Sequence, residues 1–193
     1  EKGMLKNERV FIENSPGIGD LIMLTPVLRT LKSSYPECKI IVASWNPYSL
    51  QAIERIPYID DVHEIKPTFL GRLQSFQRFL HQDSVIFNSY QGALTRLAKL
   101  AGVRNRAGNC KDKYIDTSLF THPFPYTNSA SIASYETDYL AKKTGESLDV
   151  EINIDDYQCD ISQPSVEEEN KTMMILSSVG QKDKEYVVVS PFG

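Results

Sequence analysis

The sequence predicts an α/β fold, a parallel sheet flanked by helices, and three observations carry that prediction. A short apolar strand near the start runs through a glycine-containing turn into an apolar helix. Strand-length apolar runs then alternate with segments of helical period. The chain has 193 residues, 41% hydrophobic and 24% charged, which is enough for one well-packed core and too little for two full domains of typical size.

Arg9-Val10-Phe11-Ile12-Glu13 reads as a buried strand and residues 14–19 as a turn. Leu21, Leu24, Leu28 and Leu31 follow at helical spacing. Pro26 lies inside that pattern and lacks a backbone donor, so the helix either kinks there or begins its regular part with Thr25 as cap. Residues 39–44 form the second strand, 48–55 a helix, and 62–65 a weaker third strand. Residues 70–80 are amphipathic, with Leu73, Phe76, Phe79 and Leu80 on one side. Residues 84–87 are the fourth strand, and Leu94, Leu97, Ala98 and Ala101 mark a helix that Gly102 stops. Parallel neighbours need crossover connections, which these helices supply, so the sheet is Rossmann-like. Residues 112–128, with Pro123 and Pro125, suit a long functional loop. Residues 131–143 are helical and end at Gly145. Residues 155–171 read as a linker to a short helix over 171–180, and Tyr186-Val187-Val188-Val189-Ser190 is a buried strand. The expected organisation is a domain over 1–155, a linker and short helix over 156–185, and over 186–193 the first strand of a second α/β domain cut at its start.

A formal charge of −4 argues against nucleic acid held by the net field. The one basic run, Arg96, Lys99, Arg104, Arg106, Lys111 and Lys113, suits an anionic substrate, a phospholipid surface or a solvated face. Cys38, Cys110 and Cys159 are odd in number and far apart, and His63, His81 and His122 are scattered, so neither a disulfide framework nor a metal site is expected and a reducing cytoplasm fits best. No run spans a bilayer, and the first residues lack the apolar core of a signal peptide.

Gly17-Ile18-Gly19-Asp20 between strand and helix invites a dinucleotide reading, and that reading fails on three counts. Position 22 is Ile22 where a third glycine should stand, Ser44 and Trp45 replace the acid after the second strand, and Asp20 puts negative charge where phosphates would sit. A carboxylate suits a site that removes a proton instead. The helix dipole stabilises an anion there by ~0.3–1 kcal/mol, and the place is the carboxyl end of the first strand, where open α/β sheets bind ligands. Asp also caps helices, and the residues alone leave both roles open.

The stretch from Gly19-Asp20-Leu21 through Thr25-Pro26 to Tyr35-Pro36 resembles the first-helix motif of the ADP-heptose:lipopolysaccharide heptosyltransferases, glycosyltransferase family 9. Pro57-Tyr58-Ile59-Asp60-Asp61-Val62, Leu97-Ala98-Lys99-Leu100-Ala101-Gly102 with Arg106-Ala107-Gly108, and Ser190-Pro191-Phe192-Gly193 resemble later family segments in the same order. The resemblance implies the N-terminal, acceptor-side half of a GT-B enzyme, two facing Rossmann-like domains with the site between them. It implies metal-independent inverting transfer from a nucleotide sugar such as ADP-heptose to a hydroxyl of lipopolysaccharide core or a related glycan, with no bound cofactor, in the cytoplasm or peripherally on the inner face of the inner membrane. On it Asp20 is the general base, and Ser15, Gly17, Gly19 and Arg96 contact the acceptor. The donor contacts fall mainly beyond this chain.

Three positions depart from the family pattern. Asn14 stands where a basic residue is usual, Ser131 stands where a histidine opens the later helix, and Asn88-Ser89-Tyr90-Gln91-Gly92 replaces Asp-x-Gln-Gly. They bear on the acceptor and keep two other readings open, a non-catalytic glycan- or protein-binding module and a protein heptosyltransferase.

Overall fold

The computed structural model describes residues 8–14, 17–89, 92–110, 116–125 and 133–178. The strand expected at 186–190 and residues 112–115 and 126–128 of the expected loop lie outside these. The chain divides into two compact units, through Ser162 and from Gln163 onward.

The first unit is one six-stranded sheet in the order β3-β2-β1-β4-β5-β6. Its strands are β1 (Arg9–Glu13), β2 (Lys39–Ser44), β3 (Asp61–Glu64), β4 (Ser84–Phe87), β5 (Asn105–Cys110) and β6 (His122–Pro125). Every neighbour pair is parallel, with Phe11 opposite Ile41 on one side and Val85 on the other. This is the doubly wound Rossmann-like order, whose direction of winding reverses between β1 and β4. Side chains alternate across the central strands and create two cores. Val10, Ile12, Ile40, Val42 and Ile86 pack under α1 (Ile18–Ser34), α2 (Pro47–Gln51) and α5 (Ala133–Leu148). Phe11, Ile41, Ala43, Val85 and Phe87 pack under α3 (Phe69–Phe79) and α4 (Gly92–Leu100).

Several elements differ from the sequence expectation, among them α5, which runs through Gly145 to Leu148 instead of ending at that glycine. The helix α1 is continuous through buried Pro26. Proline cannot bond the carbonyl four residues back, which is that of Ile22, and the Thr25 hydroxyl donates to that carbonyl instead at 2.7 Å. The strand β5 is polar in sequence, but the central sheet supplies partners on both sides, and context overrides its weak propensity. Gly108 in β5 is required sterically, since a Cβ there would stand 2.1 Å from the Phe120 ring. Part of the expected loop is a 3₁₀ turn at Thr117–Leu119 and the edge strand β6, and an edge tolerates Pro123 and Pro125 because fewer N–H donors are needed. In α3 it is Gly71, Ser75 and Phe79 that face inward, so Leu73 and Leu80 point to solvent.

Residues 156–162, expected as linker, are fastened to the first unit. Arg29 donates to the Asp160 carboxylate at 2.6 Å, to the Asp156 carboxylate at 3.1 Å and to the Gln158 carbonyl at 2.9 Å. The Asp160 amide donates to Thr25 Oγ1 and the Ser162 amide to the Ala52 carbonyl. Burial, reinforced by the hydrogen bond to Asp160, pushes the Tyr58 phenol well above its ordinary pKa. In the second unit, α6 (Val166–Ser178) begins earlier than the periodicity suggests. Ser165 and Glu168 form a reciprocal capping box that fixes its start, Ser165 Oγ and N both donating to the Glu168 carboxylate.

His63 on β3 is buried with Nε2 3.0 Å from Ser75 Oγ on α3. Burial, then the charge of Arg78, lowers its pKa below 6.5. The folded state therefore holds this proton less readily than the unfolded chain, so the stability it confers is complete above pH 6.5 and declines as pH falls below that value. The urea midpoint is expected to drop between pH 7.5 and about pH 5, with part of the drop absent in His63→Gln. An unchanged pH slope in His63→Gln would contradict this assignment.

Candidate functional site

The carboxyl ends of β1 and β4 meet at the reversal of the sheet, and both are followed by polar turns. After β1, Gly17 is the N-cap of α1 and supplies no side-chain cap, so Asp20 is the third helical residue rather than the cap. Asp20 is half-buried, and its carboxylate lies back over Gly17, where a Cβ would come within 2.6 Å of Oδ2. No hydrogen bond to that carboxylate forms among the described residues. Gly17 thus leaves room for an anion at the positive end of a helix, beside the carboxyl ends of two central strands. Gly19 is exposed, with nothing within 4 Å of a Cβ built on it.

Asn14 is buried and donates from Nδ2 to the Asp20 carbonyl at 2.7 Å. It fixes the first turn of α1 and so the place of Asp20. Glu13, fully buried at the end of β1, accepts from the backbone amide of Ser89 at 3.1 Å and from its hydroxyl. That pair joins the turn after β1 to the turn after β4 across the reversal.

A second polar group lies beneath the turn after β4. Lys143 of α5 is fully buried and donates to the Phe87 carbonyl at 2.9 Å and to Asn109 Oδ1 at 3.0 Å. Tyr139 donates to the same Asn109 oxygen at 2.9 Å, and Asn109 Nδ2 donates to the Asn88 carbonyl. The Lys143 ammonium also stands 5.8 Å from the Phe124 ring centroid and 6.0 Å from that of Tyr139, within reach of a cation–π contact. The network clamps the ends of β4 and β5 to α5.

Of the residues singled out from sequence, Gly17, Gly19 and Asp20 share the first turn of α1, and Ser15 lies outside the described residues. Arg96 stands apart from them, on the exposed side of α4 over the other face of the sheet. Its charge and that of Lys99 act on Asp116, whose carboxyl is held below its usual range chiefly by hydrogen bonds from Ser118. Glu13, Asn109 and Lys143 were not singled out. Each sits in an ordinary strand or helix pattern, and the only local sign was a polar residue at a position whose periodicity calls for an apolar one. One cavity of about 450 Å³ runs along α5 and another of about 690 Å³ lies beside α3. Asp20 is in the lining of neither.

No protein-family model and no curated protein matches this chain. Solved structures do share its fold. A family 9 glycosyl transferase from Veillonella parvula DSM 2008 superposes with a TM-score of 0.69 at 16% identity, over 95% of this chain and 53% of that one. The E. coli ADP-heptose lps heptosyltransferase II gives 0.57 at 16% identity, over 91% of this chain and 51% of its own. The E. coli heptosyltransferase WaaC with ADP-2-deoxy-2-fluoro heptose gives 0.56 at 14% identity, over 77% and 51%. The chain therefore has the fold found in these glycosyltransferases and spans about half the length of each.

Proposed function

We propose that this chain is the acceptor-side half of a metal-independent, inverting glycosyltransferase that moves a sugar from a nucleotide donor, ADP-heptose in the first instance, to a hydroxyl of a lipopolysaccharide core or related glycan. The observation that carries the reading is the Asp20 carboxylate on the first turn of α1, at the reversal of the sheet and without a hydrogen bond among the described residues. In the reaction the acceptor oxygen bonds to the sugar's anomeric carbon as the bond from that carbon to the diphosphate breaks. The hydroxyl proton passes to Asp20 and the diphosphate leaves with the electron pair. Gly17 and Gly19 keep the approach to that carboxylate free of side chains, and Asn14 holds its backbone. The structures of similar fold, one of them carrying an ADP-sugar analogue, support the donor class.

On this reading the donor contacts lie in the half of the fold that this chain does not span, since it covers about half of each similar structure. The purified 193-residue chain is then expected to release no ADP from ADP-heptose above the buffer rate. The protein carrying both domains is expected to add one heptose to a core acceptor, read by mass spectrometry. Steady ADP release by the isolated chain, or failure of the two-domain protein to glycosylate any hydroxyl acceptor, would overturn the proposal. One observation favours a non-catalytic glycan-binding module instead. Asn14, in the place of a basic acceptor contact, is consumed by the backbone. The same transfer assay separates the two.

A further inference from the structure

The turn after β4 carries a side chain that the fold leaves unserved. Asn88 is half-buried, and its Nδ2 and Oδ1 are both closed to solvent and both without a hydrogen-bond partner among the described residues. Glu8 and Gln82 also leave one oxygen unmet, but Glu8 accepts from Arg104 through the other and Gln82 donates to the Arg78 carbonyl. The Asn88 amide meets neither of its needs, and a buried polar group in that state is costly. Its backbone is held firmly all the same. The N–H donates to the Glu13 carbonyl at 2.9 Å, and the carbonyl accepts from Asn109 Nδ2.

The alternation of the sheet places this amide. Ile86 belongs to the core under α1 and α5, and Phe87 to the core under α3 and α4. Glu13 is opposite Phe87, and the bond from the Asn88 amide carries the ladder one step further. Asn88 therefore falls opposite Asn14 on the α1 side, as Glu13 and Ser89 meet on the other. Neighbouring strands are ~4.8 Å apart, and Asn14 is the residue that donates to the Asp20 carbonyl. The unserved amide is thus next to the residue that holds the candidate base.

Chemistry narrows what can serve it. A carboxamide presents a donor and an acceptor side by side. A phosphate or carboxylate would meet the donor alone and would bring a second negative charge towards Asp20, and an ammonium would meet the acceptor alone. Two adjacent hydroxyls of a sugar meet both, one accepting from Nδ2 and the other donating to Oδ1.

We propose that Asn88 is an acceptor-binding residue whose amide takes a pair of adjacent hydroxyls on the acceptor sugar and so selects the hydroxyl presented to Asp20. The proposal rests on the sugar-transfer function assigned to the same site. The amide is closed to solvent in the free chain, so the acceptor seats by an adjustment of this turn on binding.

Asn88→Leu tests it, since leucine keeps the branching of the side chain and removes the amide. The thermal midpoint of the 193-residue chain is expected to rise by a few degrees, because an unserved buried amide gives way to an apolar group. Acceptor recognition is expected to move the other way. In the two-domain protein the acceptor KM should rise about tenfold with turnover within a few-fold, the loss of two hydrogen bonds made to bound substrate. Calorimetric binding of de-O-acylated lipopolysaccharide core oligosaccharide to the 193-residue chain should weaken by about the same factor, a readout that needs no transfer. Unchanged KM and affinity in Asn88→Leu overturn the proposal and leave the transfer function standing. A thermal midpoint that falls together with affinity also overturns it, because Asn88 would then be holding the turn. If the two-domain protein transfers nothing, the transfer function fails and the calorimetric comparison alone decides Asn88. If in addition the chain binds no oligosaccharide, both fail.

Discussion

Asp20→Asn in the two-domain protein is expected to lower the turnover of sugar transfer by about 10²–10⁴-fold while leaving the KM for acceptor within a few-fold of its original value. The amide keeps the size and place of the side chain and can still accept a hydrogen bond from the hydroxyl, but it cannot carry the proton away. The fold should be insensitive to the change, since the carboxylate receives no hydrogen bond among the described residues and Gly17, not Asp20, occupies the N-cap. The thermal midpoint of Asp20→Asn is accordingly expected within a few degrees of the parent. Gly17→Ala gives a graded control. Its Cβ would come within 2.6 Å of Asp20 Oδ2, so the carboxylate stays in the chain but must move, and activity should fall between the parent and Asp20→Asn. If Asp20→Asn lost stability and activity in parallel, a role in holding the first turn would replace the role in proton transfer.

The first half of the sheet was legible because β1, β2 and β4 are buried on both faces and read as near-continuous apolar runs. The turn at Gly17 and the helix after it were legible for a related reason, since glycine and leucine at fixed spacing leave few alternatives. The strand β5 was not, because Asn105-Arg106-Ala107-Gly108-Asn109-Cys110 carries neither alternation nor β-branched residues. What makes it a strand is the ladder to β4 and β6 and the Phe120 ring lying where a side chain at position 108 would be. The inward face of α3 was not legible either. Its apolar stripe is regular, and periodicity reports which residues share a side without saying which side is inward. At the candidate site, local sequence exposed Asp20 and its glycines, whereas Arg96, placed near them by resemblance, lies over the other core. Contacts between elements distant in sequence, Glu13 with Ser89 and Asn109 with Lys143, had no local signal, because a buried polar residue looks like a surface one until its partner is known.

Lys143 offers the largest expected effect on stability. Its ammonium is buried with the Phe87 carbonyl and Asn109 Oδ1 as partners, so two opposing contributions must be weighed. Removing the charge relieves the cost of holding it away from water, and it leaves polar acceptors at the ends of β4 and β5 without their donor. Asn109 Oδ1 keeps Tyr139 as a donor, whereas the Phe87 carbonyl at the end of β4 loses the bond that Lys143 gives it. The two lost charge-assisted hydrogen bonds should dominate in Lys143→Met, which preserves the volume of the stem, and a loss of about 1–3 kcal/mol in urea unfolding is expected. Lys143→Ala adds a cavity between α5 and the sheet and should lose on the order of 3–5 kcal/mol. A more stable Lys143→Met would show that desolvation of the ammonium outweighs its hydrogen bonds. If the loss is as expected, the consequence reaches the site, because the same network holds the Asn88 carbonyl through Asn109, and Ser89 beside it is tied to Glu13 below the first turn of α1. Transfer activity in Lys143→Met should then fall through a higher acceptor KM more than through turnover, the signature of a loosened turn with its base intact.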